Sequence, residues 1–330
     1  MKILLSRTDR IGDLVLSTPA IATVRASFPG AHVTMVTSPY NHVVMERNDD
    51  VDEVVDLPRE VKPAAFGARF RGYDLAIALA PRATDMQLVG ATRAPVRVGY
   101  TYVRRWVARA TARLYVNRTM VSPADPELCE RDPRCVVPHE VDQLLDLVAL
   151  GGAKVRVPKL RLDVRAADRA AIAAFPEAPV VLHLGARWFS TGSTLASTLR
   201  LAEQLRELRA PLVITYAAEC EREAATFEAA GHYVARALPF HQWAALFERA
   251  SVVVTVDTGA THVASAVRRP TLVAFEHRYF RLNSQEWAPY GVPSVLVRKP
   301  ENENDAALAQ FRAEILSGVA ELIERDHDNS

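Results

Sequence analysis

The chain has 330 residues, 49% of them apolar, and its 40 basic side chains against 39 acidic ones leave a formal charge of +1. That length and apolar fraction suit two α/β domains of ordinary size and exclude global disorder. The balanced charge gives no bulk preference for nucleic acid, and no run of about 18 consecutive apolar residues marks a membrane span.

Lys2–Ser6 is expected as a strand. Its apolar part, Ile3-Leu4-Leu5, is broken by Ser6-Arg7-Thr8-Asp9-Arg10 and is too short for a signal-peptide core. Three cysteines, Cys129, Cys135 and Cys220, are an odd number that suits a reducing compartment, so a cytoplasmic location is expected. A helix follows over Leu14–Phe28, with Pro19 in its early turns, and then strands at His32–Thr37, Asp74–Leu79 and Val96–Gly99. Glu140–Leu150 is an amphipathic helix stopped by Gly151-Gly152. Lys154–Asp163, with Pro158, reads as a linker.

The pattern restarts after Pro179. Val180–Leu184, Leu212–Tyr216, Val252–Val256 and Thr271–Phe275 are expected as strands, and Leu195–Leu208, Glu219–Ala230, Trp243–Arg249 and Thr261–Val267 as helices; His232–Ala235 continues the alternation. Strands alternating with helices imply parallel sheets with right-handed crossovers. Two such runs predict two similar domains, 1–160 and 161–305. A terminal amphipathic helix, Ala307–Glu324, and a frayed polar tail complete 306–330.

Two strand ends carry candidate chemistry. After the first strand, Gly12 is expected to permit a tight turn and Asp13 to open the helix. Asp13 is either a helix cap or a carboxylate base at the mouth of the domain, kept ionised by the helix N-terminus. Arg7 and Arg10 could hold an anionic substrate beside it, although exposed arginines are usually just solvated. After Val252–Val256, the turn Asp257-Thr258-Gly259 opens a helix, and such a turn is a ready phosphate site. Asp257 and His262 flank it with groups able to hold a sugar or ribose hydroxyl. His262 reads equally well as a core histidine.

These residues carry a resemblance. The run R-x-D-R-I-G-D-L-V-L-S-T-P from Arg7 to Pro19, with D-T-G-A-T-H-V-A-S-A from Asp257 and P-T-L-V-A-F from Pro270, resembles glycosyltransferase family 9, the ADP-heptose:lipopolysaccharide heptosyltransferases. The resemblance implies a GT-B fold, two Rossmann-like domains with the active site in the cleft between them. It implies an inverting, metal-independent reaction with no cofactor, in which Asp13 is the general base. Acceptor contacts are expected from Arg7, Arg10 and Gly12. The donor is expected on Asp257, Thr258, Gly259 and His262. Val180–Ala186 resembles the family's H-P-G-A strand end, where Arg187 stands in for a phosphate-binding lysine. Glu219 occupies the place of a ribose-binding glutamate, or is a plain dipole-complementing residue. Glu276 departs from the family's Phe-Gly. The implied donor is ADP-heptose and the implied acceptor an anionic glycolipid. The departures at Arg187 and Glu276 leave room for another nucleotide sugar, or for a protein or small-molecule acceptor. A non-catalytic nucleotide-sugar-binding protein is the alternative of another class.

Between Met86 and Ala124 lie seven arginines and no acidic residue: Arg93, Arg97, Arg104, Arg105, Arg109, Arg113 and Arg118. Arg105, Arg109 and Arg113 share one face of a helix, with Trp106, Ala110 and Leu114 on an adjacent apolar face. This is either a solvated helix packed on the core through Trp106, or a cationic surface for an anionic acceptor or the inner membrane's cytoplasmic face. No nucleic-acid motif accompanies it. Cys129 and Cys135 match no common zinc spacing, and a disulfide is disfavoured in the cytosol, so free thiols are expected.

Overall fold

The computed structural model describes residues 1–208, 210–236 and 238–328, with side chains up to 325. The chain divides into two compact units, Met1–Leu162 and Asp163–Ser330.

The first unit runs β1 (Lys2–Ser6), α1 (Ile11–Ser27), β2 (His32–Thr37), β3 (Glu53–Asp56), α2 (Pro63–Gly67), β4 (Leu75–Ala78), α3 (Ala83–Ala91), β5 (Val96–Tyr102), α4 (Trp106–Ala112), β6 (Arg118–Ser122), α5 (Pro126–Arg131) and α6 (Glu140–Leu150). Its strands form one sheet in the order β3-β2-β1-β4-β5-β6, every pair parallel. Ile3, Leu4 and Leu5 are buried because β1 lies mid-sheet, with Leu4 opposite Thr34 on one side and Ala76 on the other.

The second unit runs α7 (Ala166–Ala171), β7 (Val180–Leu184), α8 (Leu195–Leu205), β8 (Leu212–Tyr216), α9 (Glu221–Ala229), α10 (Phe240–Arg249), β9 (Val252–Val256), α11 (Gly259–Ala266), β10 (Thr271–Phe275), α12 (Phe280–Glu286), β11 (Ser294–Arg298) and α13 (Asp305–Asp328). Its sheet has the order β11-β10-β9-β7-β8, again all parallel. In α13, Phe311, Ile315, Val319 and Leu322 recur at helical spacing and enter the core with Val254, Leu272 and Val297. The terminal helix is thus part of this unit's core. The tail expected beyond Glu324 continues as helix to Asp328, and residues 329–330 lie outside the described residues.

Each sheet reverses direction once. The first grows from β1 through β2 to β3, then resumes on the other side of β1 with β4. The second grows from β7 to β8, then resumes on the other side of β7 with β9. Ligands of open parallel sheets bind outside the carboxyl ends of the strands at such reversals, here β1/β4 and β7/β9.

Pro19 lies within α1 and cannot donate to the carbonyl four residues back. The Thr18 hydroxyl takes up that carbonyl, donating to Val15 O at 2.7 Å. The segment expected as a linker runs tied along α1. Lys154 and Val155 N–H donate to Ser27 Oγ, Val157 N–H to Thr23 Oγ1, and Arg161 N–H to Thr18 Oγ1. His232–Ala235 contributes a single bridge, Val234 to Ile214. Cys129 and Cys135 are joined as a disulfide with Cα atoms 5.0 Å apart, which corrects the expectation of free thiols there. That expectation rested on compartment. The turn after α5, in which Cys135 N–H donates to Asp132 O, is what returns one cysteine to the other. Cys220 is free and buried. Among the described residues no helix is long and apolar enough to cross a membrane.

Candidate functional site

At the β1/β4 reversal, α1 begins at Ile11 with Arg10 as its N-cap residue. Gly12 is therefore the second helical residue, not a turn, and Asp13 the third, not a cap. The Asp13 side chain keeps 16% of its surface exposed, whereas that of Arg7 keeps 1%. The Arg7 guanidinium donates to Asp9 Oδ1 (3.1 Å), Leu79 O (2.7 Å) and Glu140 Oε1 (2.9 Å). Its Nη2 lies 3.3 Å from Asp13 Oδ1. Tyr100 donates its hydroxyl to the same Glu140 oxygen at 2.6 Å. With its donors taken up internally, Arg7 is not a free grip for substrate, which corrects that expectation. Arg10 is exposed.

Asp85, in the first turn of α3, is fully buried and belongs to this cluster. It accepts from Ser6 Oγ (2.6 Å), Thr8 N–H (3.1 Å) and Thr8 Oγ1 (3.1 Å), so it ties the β1 end across the reversal. Sequence reasoning missed Asp85 and Glu140. Both are acidic first-turn residues of helices, a signal shared with ordinary dipole-complementing side chains.

Burial pushes the Asp13 carboxyl up to about 7; Arg7 opposes the shift and Asp9 adds to it, followed by Glu140. The helix N-terminus was expected to favour the ionised form, but desolvation and the neighbouring carboxylates outweigh it. Burial likewise raises Asp85 to about 6 against its bonds from Ser6 and Thr8. Arg7 stays protonated, because the acidic groups around it, Asp9 foremost, overcome its burial. A largely buried carboxylate titrating near neutrality that still reaches solvent is suited to accept a proton from a hydroxyl.

At the β7/β9 reversal, α11 starts at Gly259 with Thr258 as its N-cap residue. The first backbone N–H groups of a helix have no partner within it, and they point where an anion would sit. Arg187, in the turn after β7, reaches Asp257, after β9: its Nη1 donates to Asp257 O and pairs with Asp257 Oδ2 at 2.5 Å. A Cβ at Gly185 would stand 2.8 Å from Thr258 Cγ2, so glycine is what lets the two strand ends close. Arg187, Asp257, Thr258 and Gly259 are thus brought together. His262 is 4% exposed, its ring 6.3 Å from that of Trp287. Glu219 is exposed on the turn after β8, one strand farther from the reversal. His183, at the resembling strand end, is held down to about 3 by burial and so stays neutral; it shares a 2.9 Å hydrogen bond with Thr215.

In the arginine stretch, α4 is flanked by Arg105 and Arg113. Trp106 is 74% exposed and Leu114 77%, so the helix does not pack on the core through Trp106. Trp106, Arg109 and Arg113 border a groove of about 440 Å³ completed by Thr119 and Val121. Arg97 and Arg118 are structural: Arg97 donates to Ala94 O and Tyr115 O, and Arg118 to Leu150 O.

Residues 200–312 match the family model of glycosyltransferase family 9 (heptosyltransferase). The whole chain is similar in structure to a glycosyl transferase family 9 protein from Veillonella parvula, with TM-score 0.77 and 14% identity over 98% of this chain and 97% of that one. It is similar to the E. coli ADP-heptose lps heptosyltransferase II at TM-score 0.76 and 19% identity, covering 99% and 100%. For the E. coli heptosyltransferase WaaC with ADP the values are 0.67 and 21%, covering 97% and 99%. No curated protein sequence matches the chain significantly. The chain therefore has the GT-B fold, α/β with two parallel sheets, and over residues 200–312 it carries the signature of glycosyltransferase family 9.

Proposed function

We propose that the chain is an inverting, metal-independent glycosyltransferase that moves heptose from ADP-heptose to an anionic lipopolysaccharide-core acceptor. The observation that carries this reading is Asp13, a partly exposed carboxylate raised to about 7 at the first sheet's reversal. Asp13 takes the proton of an acceptor hydroxyl as its oxygen attacks the anomeric carbon. The bond from that carbon to the diphosphate breaks, ADP leaves with the electron pair, and the configuration inverts. Arg187, the Thr258 hydroxyl and the Gly259 end of α11 neutralise the leaving diphosphate. Asp257 holds sugar hydroxyls, Glu219 the ribose, and His262 shapes the wall nearby. Arg10 and Gly12, at the start of α1, face the acceptor. The ADP-heptose assignment leans on the names of the E. coli structures, which are transferases of that donor or contain ADP.

The departures Arg187 and Glu276 favour a second reading, in which the same machinery takes another nucleotide sugar or a protein or small-molecule acceptor. Mass spectrometry of nucleotide sugars retained or consumed by the purified protein separates the two. Consumption of ADP-heptose supports the first, and consumption of a different sugar only supports the second. Neither consumption nor transfer, with donor still bound, would point to a non-catalytic binding protein. Activity persisting in chelator is expected; a loss restored by magnesium would overturn metal independence.

The exposed Trp106 and Leu114 among Arg104, Arg105, Arg109 and Arg113 suit contact with the cytoplasmic face of the inner membrane, where the acceptor is anchored. Co-sedimentation should show binding to vesicles with anionic lipid, lost in the R105A/R109A/R113A variant. Equal binding by both proteins would remove this contact from the proposal.

A further inference from the structure

Lys299 follows the last strand of the second sheet and takes no part in the reading above. Its side chain is fully buried. Its Nζ donates to Arg187 O at 2.6 Å and to Ser190 Oγ at 3.0 Å, and lies 3.1 Å from Glu276 Oε1. Ser190 Oγ also lies 2.7 Å from Glu276 Oε1 and 2.9 Å from Arg187 O. The turn that carries Arg187 is therefore fastened from beneath by an ammonium, a carboxylate and a hydroxyl.

Both ends of this turn are also fixed by close approach. Gly185 abuts Thr258, as described. Gly192, at φ +81°, lies where a Cβ would fall 2.2 Å from Pro300 O, so the chain following Lys299 presses directly on the turn. Between them Trp188 is fully buried and donates Nε1 to His183 O at 2.9 Å. Arg187 is the one long cation of the turn left to reach outward, to Asp257.

We propose that Lys299 and Glu276 are positioning residues for Arg187, setting the height and direction from which its guanidinium meets the donor's diphosphate. This rests on the donor-site reading and deepens it. Glu276, the residue that departs from the family's Phe-Gly, then has a defined task. It neutralises a buried ammonium whose hydrogen bond holds the backbone of the phosphate-binding arginine. A buried ammonium without its carboxylate, or a carboxylate without its ammonium, leaves an uncompensated charge, so the pair works as a unit.

Calorimetry with ADP and with adenosine tests this on the full chain. Lys299→Met should raise the Kd for ADP about tenfold, the size of one charge-assisted hydrogen bond, and leave that for adenosine unchanged. In the Arg187→Ala background the same change should add little, since its route runs through Arg187. Should Lys299→Met fail to fold, Glu276→Gln, which keeps the side-chain shape, should show the same selectivity for ADP at several-fold. An unchanged ADP affinity, equal losses for ADP and adenosine, or additive losses with Arg187→Ala would overturn the proposal. A wild-type protein that binds neither ligand would overturn the donor-site reading itself, and this inference with it.

Discussion

The two units solve one topological problem with different charge balance. Each is a parallel sheet that reverses direction beside its first strand, and each places its functional groups outside the carboxyl ends at that reversal. In the first unit Asp9, Asp13, Asp85 and Glu140 gather around the single guanidinium of Arg7. In the second, Arg187 and Lys299 are matched against Asp257 and Glu276, with a helix N-terminus alongside. A carboxylate excess suits the proposed base, and charge-matched cations beside a helix N-terminus suit the proposed anion site. In the proposed function the same fold would serve proton abstraction at one reversal and diphosphate binding at the other, with the difference in side chains and not in topology.

The largest break in that comparison comes from Asp13→Asn. Turnover should fall on the order of 10²–10⁴-fold, the usual worth of a general base, with ADP affinity unchanged by calorimetry. In the wild type the rate should decline as pH drops below about 7, where Asp13 takes up its proton. Substantial residual turnover, or a flat profile, would remove Asp13 as the base.

A smaller effect is expected at the other reversal. Arg187→Ala should weaken ADP about tenfold, the loss of one charge-assisted contact. Asp257→Ala should weaken the intact nucleotide sugar while leaving ADP unchanged or tighter, because it releases Arg187 from its ion pair. Equal weakening of both ligands would argue against a sugar contact.

Stability should distinguish the two sites as well. Asp13 titrates at about 7 in the folded chain against 3.8 when unperturbed, so between those values the folded state binds more protons than the unfolded state. Its contribution to stability therefore falls as pH rises through that window. Asp13→Asn should raise the unfolding temperature at pH 8 and change it little at pH 4; the reverse order would contradict the burial argument. The mildest change is Glu140→Gln. Removing that nearby negative charge should move the acid limb of the rate profile below about 7, and an unmoved limb would show that Glu140 does not tune Asp13.

What the sequence revealed follows burial. Val252–Val256 and Ile3–Leu5 are central-strand segments covered on both faces, and both read directly as apolar runs. β3, β6 and β11 went unanticipated, and all three are edge strands whose residues, from Glu53 and Asp56 to Arg118 and Arg298, meet solvent on one side. Helices such as α2 and α7, at five and six residues, are too short to show a period. Asp13 and Asp257 were legible because each follows its strand within a few residues. Glu140, Asp85 and Lys299 were not, because their partners lie 133, 79 and 112 residues away and only the folded sheets bring them together.

The burial of Trp188 directly after Arg187 has an optical consequence. An indole sealed from water and bonded to His183 O emits at shorter wavelength than the exposed Trp106. Any shift in the turn that carries Arg187 would register in that blue component, while contact of α4 with a lipid surface would register in the red one. Of the chain's four tryptophans, Trp106 is the exposed one and Trp188 the sealed one, so with the half-buried Trp243 and Trp287 replaced by Phe each unit keeps a single native reporter.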